Sequence, residues 1–192
     1  MSRTVDRFMH ALMLLAAYTL LMSTAHPAVA SPARANTKQE APATVYRQTQ
    51  NLVRATPLPC PEGTTNYQGD AAPYSCVRVY SDNAGTGHPV GLRQGRTGEG
   101  AFGLLHALVD HNVDEETIAT VIANSAAGIA QGNNRFLYGL EFRVADVGLI
   151  AVEVIEDRNP STAAPDNYAL GVVTAYCKGL DRCPDEVNAT IP

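Results

Sequence analysis

The sequence predicts an α+β domain in which two helices pack on an antiparallel β-meander, with two disulfides, preceded by a signal peptide and a flexible leader. Three observations favour this class. Helical patterns come first in the domain, strands with period-two alternation follow, and all four cysteines lie in this part of the chain. Helices followed by a run of strands are typical of an antiparallel sheet that is covered on one face.

The segment from Met1 to Ala30 has the three parts of a secretory signal peptide. Arg3 and Arg7 give it a positive start, an apolar run extends from Phe8 to Met22, and Ala28-Val29-Ala30 is a small-x-small cleavage site. The run is shorter than the roughly 20 residues that span a bilayer. We therefore expect a secreted, extracellular protein with no stable membrane insertion after cleavage.

The charge of the chain limits its partners. Its 192 residues include 14 basic and 19 acidic ones, a formal net charge of −5, and loss of Arg3 and Arg7 leaves the remainder more acidic. This balance argues against a broad electrostatic grip on nucleic acid but allows a small local basic pocket. Because Lys38 and Lys178 are the lysines of the chain, contacts to phosphate or carboxylate fall mainly to arginine.

Residues 31–57 are rich in Ala, Pro, Thr and polar side chains, which is typical of a flexible leader. The single domain is expected to occupy residues 58–192. Within the leader, the run from Thr44 to Arg54 could form one helical turn or an added strand. In the domain, the alternation from Cys76 to Tyr80 predicts a strand, and the six glycines between Ser81 and Gly100 favour a loop.

A first helix is predicted from Ala101 to His111, with Phe102, Leu105 and Val109 facing the core at helical spacing. It would end on the turn that follows His111.

A second helix has clearer end signals. Asp114 is placed to cap it, Glu115 and Glu116 suit the positive end of its dipole, and Val113 and Ile118 occupy hydrophobic staple positions. It should end before Gly128, and its predicted inner face consists of Ile118, Val121, Ile122 and Ser125.

Period-two alternation begins after the turn signal Gly132-Asn133-Asn134, with Phe136, Tyr138, Leu140 and Phe142 on one face. A second strand is predicted from Gly148 to Ile155 and a third from Leu170 to Cys177. The segment from Asp157 to Tyr168, with two prolines and no apolar run, is predicted to be a long hairpin loop.

The cysteines Cys60, Cys76, Cys177 and Cys183 allow three disulfide connectivities. Short loops close easily, which favours Cys60–Cys76 and Cys177–Cys183, each contributing roughly 2–3 kcal/mol by the chain-entropy estimate. Because no CxxC or HxxxH spacing occurs, we predict no metal site.

Two of the three histidines that follow the signal peptide, His106 and His111, lie in one segment. Such a pair beside a cleft can supply general acid and base. Five residues on an unbroken helix place them about 140° apart. They converge only if the helix ends near Asp110 and His111 swings out on the turn that Asn112 allows. The alternative is a structural role, with His111 at the helix dipole and His106 bonded to the backbone.

A second candidate group lies on the last strand. Alternation places Val172, Thr174 and Tyr176 on one face, opposite Val173, Ala175 and Cys177. Thr174 and Tyr176 side by side could hold a phosphate and a base, or could mark an ordinary sheet margin.

The glycine-rich approach to the first helix is a third candidate. Its backbone N–H groups and the helix N-terminus could bind an anion, with Arg93 or Arg96 completing the charge. A flexible surface loop is the alternative interpretation, and the absence of Gly-Lys-Ser/Thr excludes a P-loop.

The order of these pieces, from about Val90 to Cys177, resembles secreted toxin ribonucleases of the barnase/EndoU/RelE-like fold. The motifs are Ala101-Phe102-Gly103 leading to His106, the segment from His111 to Ile122, and the final strand Val172-Val173-Thr174-Ala175-Tyr176. The resemblance implies a single-domain enzyme without an organic cofactor that cleaves RNA by 2′-OH attack.

By this resemblance His106 and His111 transfer protons, and Thr174 and Tyr176 line the phosphate and base site. Arg96 or Arg135 would stabilise the charged transition state. The chain departs from the pattern in having no lysine between Lys38 and Lys178, and in having Cys177 where the family often has proline.

Two classes of function follow. The first is an exported, bacterial-type effector or toxin-like ribonuclease acting on RNA, with a cognate inhibitor as a further partner. The second is a non-catalytic binding module, stabilised by disulfides, that recognises a protein or cell-surface ligand through the segments Ser81–Gly100 and Asp157–Tyr168. Convergence of His106, His111, Thr174 and Tyr176 on one cleft would favour the first.

Overall fold

A computed structural model describes residues 47–48, 52–53, 55–82, 87–125 and 128–189. The predicted signal peptide and most of the predicted leader lie outside these residues. No helix in the described ranges has the length and apolar character needed to cross a bilayer.

The described chain has the mixed helix and strand content that the sequence predicts. Its strands are β1 (Arg47–Gln48), β2 (Pro57–Leu58), β3 (Cys76–Ser81), β4 (Pro89–Arg93), β5 (Ile129–Gly132), β6 (Arg135–Val144), β7 (Gly148–Pro160) and β8 (Ala169–Cys177). Its α-helices are α1 (Gly103–His111), α2 (Glu115–Asn124) and α3 (Asp185–Ala189), and a 3-10 helix spans Gly69–Tyr74.

The strands form two sheets. The large sheet has the order β1-β6-β7-β8, with β5 also paired to β6, and the small sheet has the order β2-β3-β4. All pairs are antiparallel except β1 with β6, which is parallel. The α+β class with antiparallel sheets is therefore confirmed, while the small sheet is additional to the predicted meander.

Strand β4 lies inside the segment from Ser81 to Gly100 that we predicted to be a loop. Its side chains Val90 and Leu92 are fully buried, and β4 pairs with β3 from Cys76 to Ser81. Because glycines flank this short apolar run, the sequence pattern did not predict a strand here.

The meander of β6, β7 and β8 matches the predicted strands at their starts, but β7 is longer than predicted. It continues past Ile155 to Pro160, pairing Asp157 with both Arg135 and Gly171. The prediction of a loop from Asp157 was therefore wrong, and the connection spans residues 161–168. The polar run at the end of β7 misled the sequence argument because Glu156 and Asp157 are buried and paired.

Helix α2 forms as its end signals predict. The Asp114 carboxylate accepts a hydrogen bond from the Thr117 N–H at 2.8 Å, and Val113 and Ile118 are fully buried. Every residue from Thr117 to Asn124 is buried, so the helix packs on more than the one predicted face. Burial of side chains such as Ile118 contributes about 1.5–3 kcal/mol each.

Helix α1 begins at Gly103 rather than Ala101 and presents a different face from the predicted one. Phe102 is buried against Tyr74, with ring centroids 5.1 Å apart. Leu105 and Val109 are 36% and 52% exposed, so the prediction that they face the core was wrong. The small residues Gly103 and Ala107 are buried instead, and a Cβ at Gly103 would lie 2.8 Å from the Arg93 carbonyl oxygen at the end of β4.

Both disulfides that the sequence favoured are present. Cys60 is bonded to Cys76 and Cys177 to Cys183, and no described cysteine is free. Such bonds form and persist in an oxidising environment.

Described residues before position 58 already contact the domain. Of the two forms considered for the run from Thr44 to Arg54, a strand is present, since β1 pairs with Leu140 and Glu141. The Asn124 amide bonds the N–H of Val53 at 2.9 Å and its carbonyl at 2.8 Å, and Ala55 belongs to the core.

The two sheets meet where β4 passes β8. Gly171 has a φ of +81°, and a Cβ at this position would lie 2.1 Å from the Gly91 carbonyl oxygen. Only glycine permits this backbone geometry and this approach.

Candidate active site

The two helical histidines lie side by side. The ring centroids of His106 and His111 are 4.8 Å apart with an interplanar angle of 69°. Helix α1 continues to His111, and Asn112 then caps it in the left-handed conformation with φ 59° and ψ 42°. The helix therefore ends one residue later than the convergence argument required, yet the two rings are in edge contact.

His106 is oriented by a carboxylate one turn along the helix. Its Nδ1 lies 2.7 Å from Asp110 Oδ2. An ionised carboxylate can only accept, so Nδ1 carries the hydrogen and Nε2 is the basic nitrogen of the neutral ring. The His106 side chain is 19% exposed and that of Asp110 is 37% exposed, which places the pair at the edge of the site. Asp110 was not among the predicted site residues, although its i,i+4 spacing from His106 is visible in the sequence.

His111 lies deeper and joins the helix to the last strand. Its ring centroid is 6.1 Å from that of Tyr176. Its Nδ1 is buried and has no hydrogen-bond partner among the described residues. Buried polar atoms normally have a partner, so this nitrogen is an exception among the described residues.

Tyr176 is held by a buried carboxylate on the neighbouring strand. Its hydroxyl donates to Glu153 Oε2 at 2.6 Å, and Lys178 Nζ lies 3.2 Å from Glu153 Oε1. The Glu153 side chain is 6% exposed and that of Lys178 is 52% exposed. Tyr176 and Glu153 are direct cross-strand partners. The site therefore contains a cation, Lys178, that the sequence argument did not place.

Thr174 precedes Tyr176 by two residues, and its hydroxyl oxygen is buried without a described hydrogen-bond partner. The predicted two faces of β8 hold for Thr174 and Tyr176 but not for Val172. Between the pairs Ile155–Thr174 and Glu156–Val172 the register shifts by one residue. The bulge at Val173 turns Val172 into the core that also contains Ala175 and Cys177.

The three predicted arginines lie elsewhere. Arg93 is buried, with its guanidinium bonded to Asp166 and to the backbone carbonyls of Tyr74 and Ala169. Its donors are used inside the protein, so it cannot serve as the proposed substrate cation.

Arg96 and Arg135 are likewise engaged outside the histidine pair. Arg96 Nε donates to the Gly100 carbonyl at 3.1 Å, and the guanidinium lies 5.9 Å from the Phe102 ring centroid. Arg135 Nε pairs with Asp157 Oδ2 at 3.0 Å.

The remaining histidine belongs to a separate buried network. His88 Nε2 is 3.0 Å from Glu156 Oε1, and the Tyr138 hydroxyl and Arg158 Nε each lie 3.0 Å from Glu156 Oε2. Burial, followed by the nearby Glu156 charge, raises the pKa of Tyr138 well above its usual range. These contacts neutralise a fully buried carboxylate.

His88 also borders a pocket of about 260 Å³ with mainly apolar walls. The pocket lies between the small sheet and the start of β8, and its walls include Thr64, Val79, Leu92 and Tyr168. Its lining takes residues 88, 89 and 91–93 from the first segment of the binding-module interpretation and Tyr168 from the second, and the other walls come from outside both segments.

The described ranges hold no group of three or more His, Cys, Asp or Glu side chains arranged to bind a metal ion. Comparisons of the chain with protein-family models, with curated proteins and with solved structures give no match.

Proposed function

We propose that the protein is an exported endoribonuclease that cleaves RNA by histidine acid–base chemistry. The observation that carries this proposal is the contact between His106 and His111, with Tyr176 beside them. Two imidazoles in contact, one of them oriented by Asp110, provide a base and an acid near neutral pH. The likeness to secreted toxin ribonucleases described above supports the same chemistry.

His106 is the base in this mechanism because its hydrogen bond to Asp110 leaves Nε2 to accept a proton. Nε2 takes the proton of the ribose 2′-hydroxyl as that oxygen attacks phosphorus. The bond from phosphorus to the 5′-oxygen breaks, and protonated His111 gives its proton to the leaving oxygen. The products are a 2′,3′-cyclic phosphate and a free 5′-hydroxyl.

The groups on β7 and β8 bind the phosphate. Lys178 supplies positive charge, while Glu153 holds both the Lys178 ammonium and the Tyr176 hydroxyl in place. A fixed set of donors around the phosphate stabilises charge that develops in the transition state.

Export is part of the proposal. The predicted signal peptide from Met1 to Ala30 provides the route, and the disulfides are consistent with an oxidising compartment. A ribonuclease of this kind acts on RNA outside the producing cell or in a target cell, where a cognate inhibitor is the expected protein partner.

The test is cleavage of a fluorescent RNA oligonucleotide by the purified mature protein, without added metal and in EDTA. We expect cyclic-phosphate products, and a loss of rate of about 10²–10⁴-fold in His106→Ala and in His111→Ala. His88→Gln, which keeps a donor for Glu156, is the matched control and should retain activity. Equal background cleavage by all four proteins would refute the proposal.

A second candidate function is ligand binding at the pocket beside His88. Its apolar walls suit an apolar side chain of a protein ligand rather than an RNA backbone. Under this proposal hydrophobic peptides shift the NMR signals of Leu92 and Val79, and Tyr168→Ala, which opens one wall, weakens the binding. Wild-type shifts without RNA cleavage would favour the binding module.

A further inference from the structure

The chain that follows Tyr176 folds back over the end of helix α1. We call residues Cys177–Cys183 the C-terminal loop; its two ends are joined by the disulfide. The Cys183 N–H donates to the His111 carbonyl at 2.9 Å. The Asn112 amide in turn donates to the Cys183 carbonyl at 2.9 Å. The C-terminal loop, closed by its disulfide, is thus continuous with β8 and hydrogen-bonded through Cys183 to the last turn of α1.

Arg182 makes two further hydrogen bonds between this loop and the end of the helix. Its Nη1 donates to the Val109 carbonyl at 2.6 Å, and its Nη2 donates to Asn112 Oδ1 at 3.3 Å. The last carbonyls of a helix have no partner within the helix, and a cation there also suits the negative end of the dipole. Arg182 therefore bonds the backbone before His111, at Val109, and the side chain after it, at Asn112.

The placement of His111 depends on this turn. Its ring must reach His106 on one side and Tyr176 on the other, at 4.8 and 6.1 Å between centroids. Arg182 bonds the Val109 carbonyl before His111 and the Asn112 side chain after it, the Cys183 N–H bonds the His111 carbonyl, and the Asn188 amide bonds the Asn112 carbonyl. Loss of Arg182 would release the Val109 carbonyl and one bond to the Asn112 side chain, while the disulfide and the Asn188 bond to the Asn112 carbonyl stay in place.

We propose that Arg182 is a positioning residue for His111, acting through the backbone of the last turn of α1. Its effect on catalysis rests on the proposed ribonuclease function, whereas its effect on the geometry does not. Arg182 is exposed, so its removal exposes no core side chain. The planar guanidinium reaches two acceptors at once, which a lysine ammonium does less well.

The experiment compares Arg182→Ala and Arg182→Lys with Arg143→Ala, which removes an exposed arginine on β6. Two readouts are taken on each: the NOE between the His111 and Tyr176 rings, and kcat and KM for RNA. For Arg182→Ala we expect the NOE to be lost and kcat to fall about tenfold with KM unchanged. Arg182→Lys should restore part of both, and Arg143→Ala should match the wild type.

An Arg182→Ala protein with the wild-type NOE and kcat would overturn the positioning role. If the wild type cleaves no RNA, the ribonuclease proposal fails by itself. The NOE comparison still decides whether Arg182 orients His111.

Discussion

Asp166 and Arg93 form a two-pronged ion pair inside the protein. Arg93 Nη2 lies 2.8 Å from Asp166 Oδ1 and Nη1 lies 3.0 Å from Oδ2, and the Tyr67 hydroxyl donates to Oδ2 at 2.9 Å. The Arg93 side chain is 4% exposed and the Asp166 side chain is 9% exposed. The pair fastens the connection between β7 and β8 to the small sheet.

Removing one member of this pair should destabilise the fold strongly. In Asp166→Ala the Arg93 guanidinium stays buried without its counter-charge, and we expect a loss of about 3–5 kcal/mol in the free energy of unfolding. Urea denaturation measures it. Glu62→Ala, which removes an exposed acid, should change stability by less than about 0.5 kcal/mol. Equal effects of the two substitutions would contradict the assignment.

The same pair predicts a pH dependence. Burial alone would raise the pKa of Asp166, but hydrogen bonds from Arg93, from the Tyr168 N–H and from Tyr67 lower it below its ordinary value of 3.8. A lowered pKa in the folded state means that the carboxylate stabilises the protein above that ordinary value. The contribution is lost as pH falls through the lowered pKa.

We therefore expect wild type to exceed Asp166→Asn in stability at pH 7, and the difference to shrink below pH 3.8. Urea denaturation of both proteins at pH 7 and again below pH 3.8 measures this difference in the free energy of unfolding. A gap that is constant or widens in acid would show that the Asp166 charge does not contribute as described.

The hydroxyl of Tyr176 should matter for catalysis. In Tyr176→Phe the buried Glu153 loses the hydrogen bond at 2.6 Å, and the carboxylate is then held by Lys178 without the tyrosine. We expect kcat for RNA to fall about tenfold, the value of one hydrogen bond to a charged group. Tyr168→Phe, at an exposed tyrosine, is the control. A similar fall in kcat for Tyr168→Phe would show that the Tyr176 hydroxyl has no specific role in catalysis.

The two disulfides should contribute unequally to stability. Their sequence separations are 16 for Cys60–Cys76 and 6 for Cys177–Cys183, and the chain-entropy estimate gives about 3 and about 2 kcal/mol. Paired Cys→Ser variants of each bridge, compared by urea denaturation, measure the two contributions. Peptide mapping without reductant should find no free thiol, and free Cys177 and Cys183 would contradict the pairing.

Local signals in the sequence were sufficient for some elements. Helix α2 carries its own cap in Asp114, and β6 alternates over its whole length, so both follow from short-range physics. The helix α1 was located correctly, but its buried face was not. An apolar period assigns Leu105 to the core, whereas Gly103 and Ala107 are the residues of this helix that are buried.

In the candidate site, too, local sequence patterns identified some residues and missed others. The sequence hypothesis required His106, His111, Thr174 and Tyr176 to face one cleft. The structure places the rings of His106, His111 and Tyr176 next to one another, and the shared cleft stays a prediction. Glu153 was missed because its partnership with Tyr176 depends on the register between β7 and β8, which no local pattern records. Arg93 was assigned to a ligand because its internal partner, Asp166, lies 73 residues away.

The contact between Gly91 and Gly171 has a consequence for how the protein can vary. Gly91 belongs to the strand that borders the apolar pocket, and Gly171 to the strand that carries Thr174 and Tyr176. A side chain at 171 would act as a wedge between the sheets, displacing both strands together. The pocket and the histidine site therefore both depend on the contact between Gly91 and Gly171. A single methyl group added at position 171 would change the geometry of both.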